Sequence, residues 1–564
     1  MVVKDAIDTA KSRVIRLAIF SGIINIMTLA GSIYMLQVYD RVLPSRSFPT
    51  LIGLSILLIF VYVLQGYFDT LRMRMLSRIG AGFDRSLQTP IFECITTMRI
   101  RGWDSATVTQ PTRDLEVIRM FLSSMGPTAF LDLPWTPLFL IVLFVFHPVI
   151  GLAATIGMLL IVGITIFIEK RTKKHASEVA KLGMLRSGIA RITAYNAEVI
   201  HALGMRDRFA SQWRGVNNSY VTEIIRIRDI EAEMGSIAKM IRYILQSAIL
   251  GLGAALVITE SATAGIMIAS SILMGRALAP IEVVLGTWKQ FKLMREALTR
   301  LTDTLSVNAS LPVPALELPR PSMRLAVNNL FVVPPASNVV AVSDVSFELT
   351  PGTGLVLIGP SGSGKTSLAK ALVGIWPPRS GSICLDYAHT NQWDSDNLGK
   401  YIGYMPQDVA LFDGTIAQNI ARFDIHATNE SIMDAAKMAG VHEFILALPE
   451  GYSKNIGEGG CHLSAGQRQR IALARAVYGN PFLVVLDEPN ANLDTEGEKA
   501  LTETIIRLKA AKTIVIVISH RTSSLPALDT VMVMLHGKIY AIGPREKVLA
   551  ALNNPPPSPS KEAA

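Results

Sequence analysis

Cysteine is scarce in this chain. Only Cys94, Cys384 and Cys461 occur in 564 residues, and none has metal-ligand spacing. They read as free thiols in a reducing compartment, which excludes a disulfide scaffold or a cysteine-built zinc site. Charge is scarce too: 18% of residues are charged against 50% apolar. With a mean hydropathy of +0.37, the chain is too apolar for an ordinary soluble protein. No small-residue cleavage site follows the first apolar run, so that run is a membrane span, not a removed signal. The charge that is present sums to +9. A basic excess beside apolar runs points to lipid and membrane topology, and no nucleic-acid partner is expected.

The apolar residues concentrate in the first half. Six runs approach the length that a bilayer requires, at about 14–37, 51–67, 130–147, 149–168, 237–258 and 264–285. Lys239 and Arg242 fall in the first turns of the fifth and can snorkel. Arg276 falls inside the sixth, where it either faces a cavity or partner, or snorkels. The connections 68–129 and 169–236 are long and rich in Arg and Lys, including Lys170-Arg171-Thr172-Lys173-Lys174. The positive-inside rule places both in the cytoplasm, with both termini on that side. Ile189, Ile192, Ala197, Ile200 and Leu203 repeat at helical spacing, so these connections read as helices extending from the spans.

The composition then changes. Residues 1–300 form the membrane domain, and a Pro-rich linker at 301–323 carries Pro312, Pro314, Pro319 and Pro321. From 324 to 552, β-rich runs at 339–345, 355–358, 482–486 and 513–518 alternate with helical segments. That pattern predicts an α/β domain with a mainly parallel sheet. The tail 553–564, with Pro555, Pro556 and Pro557, reads as disordered.

The chemistry lies in this second part. Gly359-Pro360-Ser361-Gly362-Ser363-Gly364-Lys365-Thr366 is a P-loop between a strand and a helix that opens near Ser367. Its backbone N–H groups suit the phosphates of ATP, Lys365 adds a positive charge, and Thr366 offers a hydroxyl to Mg²⁺. The apolar strand 482–486 ends in Asp487 and Glu488. Asp487 stands where a carboxylate helps to hold Mg²⁺, and Glu488 where a general base polarises the attacking water. Gln407 follows Tyr404-Met405-Pro406 and is a candidate sensor of Mg²⁺ and that water. His520 ends the strand expected at 514–519, where it can contact the γ-phosphate.

Together these motifs resemble the nucleotide-binding domain of ABC transporters over residues 324–552. Leu463-Ser464-Ala465-Gly466-Gln467 is similar to the signature motif of that family. The resemblance implies that Ser464, Ala465, Gly466 and Gln467 bind the γ-phosphate of an ATP held by a partner's P-loop. One such motif set per chain then implies a homodimer. Asn492-Leu493-Asp494 looks like the family's D-loop, and Gly457-Glu458-Gly459-Gly460 like the exporter segment that touches the cytoplasmic helices. Two positions depart from the pattern. Ala465 replaces a glycine, and Pro334 stands where an aromatic ring often stacks on adenine, with Phe331 a weak substitute.

The membrane half narrows the resemblance. Tyr34-Met35-Leu36-Gln37-Val38-Tyr39-Asp40-Arg41-Val42-Leu43-Pro44-Ser45 is similar to the end of the first span in type I secretion permease/ATPase subunits. Asp132-Leu133-Pro134-Trp135-Thr136-Pro137, with His147-Pro148, resembles their third span. Gly275-Arg276-Ala277-Leu278-Ala279-Pro280-Ile281-Glu282, with Trp288, resembles their sixth. The nearest likeness is to the subfamily exporting RTX proteases, lipases and surface-layer proteins. It implies an inner-membrane ATP hydrolase that exports unfolded polypeptide bearing a C-terminal signal. Its partners would be a periplasmic adaptor (membrane fusion protein) and a TolC-type outer-membrane channel. About a dozen residues precede the first span, so no N-terminal peptidase domain is expected. A lipid or small-molecule exporter is the alternative. The segments 105–112 and 209–220 are candidate coupling contacts.

Overall fold

The computed structural model describes residues 2–308, 318–335, 337–519 and 527–553. His520, residues 309–317 of the Pro-rich linker and the tail from 554 lie outside the described residues. The chain divides into two compact units, 1–95 with 109–309, and 96–108 with 310–564.

The first unit is helical. Among the described residues, six helical stretches are long and apolar enough to cross a membrane: Ile7–Ser45, Phe48–Ile100, Gly126–Phe146, Pro148–Tyr195, Arg206–Ile258 and Ala264–Val307. Ile52, Ile56, Ile59, Phe60 and Val63 are all exposed on the chain. That is the surface a bilayer covers, because in lipid only the backbone must be satisfied internally. The basic connections are helical as expected, with Phe48–Ile100 and Arg206–Ile258 each running 53 residues. Both outlast a bilayer crossing.

The first span is not one smooth helix. A π turn, Val38–Val42, interrupts it at Asp40. The Asp40 carboxylate accepts from the Thr263 hydroxyl at 2.7 Å and from the Gly265 backbone N–H at 2.9 Å. It thereby caps the last helix, whose first N–H groups lack intrahelical partners. A Cβ on Gly265 would stand 2.6 Å from that carboxylate, so the cap requires glycine.

Charge also joins the helices. Arg72 is buried, and its guanidinium donates to both Asp132 oxygens at 3.0 Å, to Asp69 at 2.7 Å and to the Ser21 hydroxyl at 3.2 Å. Asn25 donates to the same Asp132 at 2.8 Å. The first three spans therefore meet at one ionic knot. Arg242, a candidate for snorkelling, pairs with Glu282 at 2.9 Å. Arg276 lies on the exposed side of its helix.

The second unit holds two sheets. A four-stranded antiparallel sheet has the order β2 (Val342–Leu349), β1 (Leu325–Val332), β4 (Ser380–Leu385), β5 (Ala388–His389). A six-stranded sheet has the order β10 (Lys538–Pro544), β9 (Thr530–Leu535), β3 (Gly354–Ile358), β8 (Ile514–Ile518), β7 (Leu483–Asp487), β6 (Ile402–Met405). All its pairings are parallel except β10 with β9. Val356, Val484 and Val515 belong to one apolar core, and Leu355, Val485 and Ile516 to the other. Both faces are covered, so these strands read as unbroken apolar runs. The run expected at 339–345 is different. Val339 and Val340 are exposed, and the loop closes where Ala341 N–H donates to Val332 at 2.9 Å, so the strand begins at Val342.

Residues 96–108 group with this unit. Gly102, at φ +83°, lies so close to Pro335 that a Cβ would stand 3.1 Å from it.

Removing Asp132 strands the Arg72 charge in a buried place. Asp132→Ala is expected to cost about 3–5 kcal/mol. The paired replacement Arg72→Met with Asp132→Leu is expected to cost clearly less. Thermal unfolding of the detergent-solubilised protein compares the two.

Candidate active site

The sheet order gathers the candidate residues. The P-loop follows β3, Glu488 follows β7, and Gln407 lies just past β6. In a parallel sheet these are carboxyl ends on one edge, where ligands bind α/β folds.

The P-loop owes its shape to glycine. Gly359 and Gly364 have φ +155° and +94°, and a Cβ on either would stand 2.3 or 2.2 Å from the carbonyl oxygens of Met534 or Ala341. The helix Lys365–Leu372 starts directly after Gly364. Lys365 is buried, and its ammonium donates to the Gly359 and Pro360 carbonyls at 2.8 Å and to the Ser363 hydroxyl at 3.3 Å. Burial lowers its pKa, while Glu488 and Asp487 oppose that shift. Ser361 and Gly362 shape the exposed crest, and Thr366 and Ser367 open the helix.

Asp487 is the unusual group. It is 1% exposed, and among the described residues no normal hydrogen bond reaches either carboxylate oxygen. Burial raises its pKa, and the neighbouring Thr366 hydroxyl lowers it. A buried carboxylate with no partner is costly. A hard divalent cation, which takes carboxylate and hydroxyl oxygens, would satisfy it. The donor set therefore fits Mg²⁺.

Glu488 has φ +51°, a left-handed conformation that a non-glycine residue rarely adopts. Its N–H donates to Ile518 at 3.0 Å, which fixes it at the end of β8 as well as β7. Gln407 donates to the Glu488 carboxylate at 3.2 Å. The two sequence candidates are thus in direct contact. His520 follows β8, the strand between β3 and β7, but lies outside the described residues.

Ser464 caps the helix Ala465–Val477 with a reciprocal capping box. Its N–H donates to the Gln467 side chain at 2.9 Å, and its hydroxyl accepts from Gln467 N–H at 3.3 Å. Ser464 and Ala465 are exposed. The extra methyl at 465 therefore lies on the surface. Gly466 is the constrained position, because a Cβ there would lie 2.9 Å from the Asn492 carbonyl.

Two residues here were not singled out by sequence reasoning. Gln469 is buried and donates to the carbonyls of Glu488 at 3.3 Å and Pro489 at 2.6 Å. It also accepts from Asn492 N–H at 3.1 Å, so one amide ties the signature helix to the β7 end and the following loop. Arg422 donates to the carbonyls of Gly399, Ile402, Arg475 and Ala476 at 2.6–3.2 Å. It anchors the helix C-terminus to β6. Burial lowers its pKa to about 10, so it stays cationic at neutral pH. At the position where adenine would stack, Phe331 is half-buried on β1 and Pro334 lies in the loop after it.

A glycine-bound phosphate loop, an adjacent acidic strand end and a serine-capped helix define a P-loop ATPase, here behind six membrane-spanning helices. Residues 342–491 match the ABC transporter family, and residues 14–279 match the ABC transporter transmembrane region. The chain is 46% identical over 550 residues to the type I secretion system ATP-binding protein PrsD of Rhizobium meliloti (strain 1021), covering 98% of this chain and 94% of that protein. It is 30% identical to the toxin RTX-I translocation ATP-binding protein of Actinobacillus pleuropneumoniae, covering 95% of this chain and 76% of that one. In fold it is similar to a bacterial Atm1-family ABC exporter determined with ATP bound, with a TM-score of 0.80, 22% identity, and coverage of 98% of this chain and 99% of that one. The chain belongs to the ABC transporters, among the type I secretion ATP-binding proteins. It is a multi-pass inner-membrane protein that binds nucleotide and couples ATP hydrolysis in a cytoplasmic domain to transport.

The contrast between neighbouring signature positions is testable. Gly466→Ala pushes a methyl against backbone and is expected to cost about 1–3 kcal/mol, with loss of ATP turnover. Ala465→Gly is expected to leave both unchanged. Thermal unfolding and phosphate release report the two effects.

Proposed function

We propose that this chain, an ATP-driven protein exporter, acts as a homodimer that passes an unfolded polypeptide with a C-terminal signal across the inner membrane. The observation that carries this reading is the near full-length similarity to a type I secretion ATP-binding protein. Relatives named for translocating toxins point the same way. The partners of this reading are a periplasmic adaptor and a TolC-type outer-membrane channel.

Each residue then has a role. The P-loop N–H groups and Lys365 hold the β- and γ-phosphates of ATP. Ser464 and the N-terminus of its helix face the γ-phosphate bound by the partner chain. Thr366, Asp487 and Gln407 hold Mg²⁺, which neutralises charge developing on the phosphates when bound. Glu488 takes a proton from the water that attacks the γ-phosphorus. Gln407, already hydrogen-bonded to Glu488, orients that base and the water. His520 contacts the γ-phosphate. Residues 96–108, which group with the ATPase unit, carry the ATPase motion toward the spans.

Purified protein in detergent tests the reading. ATP turnover should change when a C-terminal fragment of an RTX-type cargo is added. In Glu488→Gln it should fall by about 10²-fold or more, with nucleotide binding retained. Turnover indifferent to such fragments but raised by lipids or small amphiphiles would contradict polypeptide export.

A further inference from the structure

Besides Gln407, the strand β6 brings another polar group to this edge of the sheet. β6 and β7 are parallel, with Tyr404 opposite Val485 and Met405 opposite Leu486. Side chains alternate along a strand, so Tyr404, Val485 and Asp487 share one face. It is the face that the P-loop helix covers, since Val485, Leu368 and Leu372 belong to one apolar cluster and Tyr404 packs against it.

The ring is thus accounted for by packing, but its hydroxyl is not. The Tyr404 oxygen is buried and has no hydrogen-bond partner among the described residues. Both Asp487 oxygens, two residues beyond its strand partner, are in the same condition. A phenylalanine would fill this space without leaving a buried donor unpaired. A phenol keeps its proton at physiological pH. It is therefore an unpaired donor on the same face of the sheet as an unsatisfied acceptor.

We propose that Tyr404 is a positioning residue for the nucleotide's divalent cation. Its O–H donates to the Asp487 oxygen not taken by the cation once cation and nucleotide are bound. That bond would hold the carboxylate at one orientation, as outer partners do for metal ligands elsewhere. The inference rests on the reading of Asp487 as a cation ligand. It adds a residue to the site whose contribution comes from its hydroxyl alone.

Tyr404→Phe keeps the ring and removes the donor. Binding of a fluorescent ATP analogue is measured on the full-length protein in a Glu488→Gln background, across free Mg²⁺ and in EDTA. The half-saturating Mg²⁺ concentration is expected to rise about tenfold in Tyr404→Phe. Binding in EDTA should be unchanged. Thermal unfolding without nucleotide should show Tyr404→Phe at least as stable as its parent, because an unpaired buried hydroxyl has gone. An unchanged Mg²⁺ dependence would overturn the proposal. So would a loss of stability without nucleotide, which would make the hydroxyl a structural bond. Failure of the underlying reading is seen separately: the parent itself would then bind the analogue equally well with Mg²⁺ and in EDTA.

Discussion

A carboxylate buried at the end of a strand, with neither oxygen in a normal hydrogen bond among the described residues, sets the terms of this ATPase. Taken alone, Asp487 is a liability, since an ionised group shielded from water is costly unless paired. The fold keeps it because parallel strands deliver everything that can complete it to one edge. β3 brings the phosphate loop and the Thr366 hydroxyl, β6 brings Gln407, and β7 brings Asp487 and Glu488. The strained backbone of Glu488 belongs to the same arrangement, because its N–H is fixed to β8 while its carboxylate meets Gln407. Buried amide and guanidinium groups then hold the signature helix to the end of β7 and to the start of β6. Gln469 fixes one end of that helix and Arg422 the other.

The membrane half uses charge differently. Its apolar surface faces outward, so burial of hydrocarbon does little to choose one helix packing over another. Polar joints supply that choice. Arg72 and Asp132 bind the first three spans, Asp40 ties the first span to the start of the last helix, and Arg242 with Glu282 ties the fifth span to the sixth. Asp40, Asp132 and Glu282 all lie in the segments whose residues resemble type I secretion subunits. Their carboxylates give those segments a structural reason to look as they do.

Much of this was legible in the sequence because the signals are local. The P-loop is eight adjacent residues, the acidic strand end follows an unbroken apolar run, and the spans are long. The strands β3, β7 and β8 were readable because both sheet faces are covered. The run at 339–345 misled because valines there lie in an exposed loop, and period alone does not separate loop from strand. The π turn lies just beyond the run expected at 14–37, where Asp40 and Arg41 already break the apolar pattern. Residues that bond far along the chain were not legible. Arg72 reaches Asp132 across 60 positions, and Gln469 reaches Pro489 across 20. Nothing local marks Tyr404, because only the register of β6 against β7 puts it on the same face as Asp487.

The central claim is that a divalent cation bound with nucleotide completes Asp487. The most direct measurement is thermal unfolding of the full-length protein with ATP, in Mg²⁺ or in EDTA, for the parent and for Asp487→Asn. The account predicts a gain of about 5–10 °C in the parent at a hundredfold excess over Kd with Mg²⁺. Most of that gain should be lost in EDTA, and the variant should gain no more in Mg²⁺ than in EDTA. Equal stabilisation of the parent with and without the cation would contradict it.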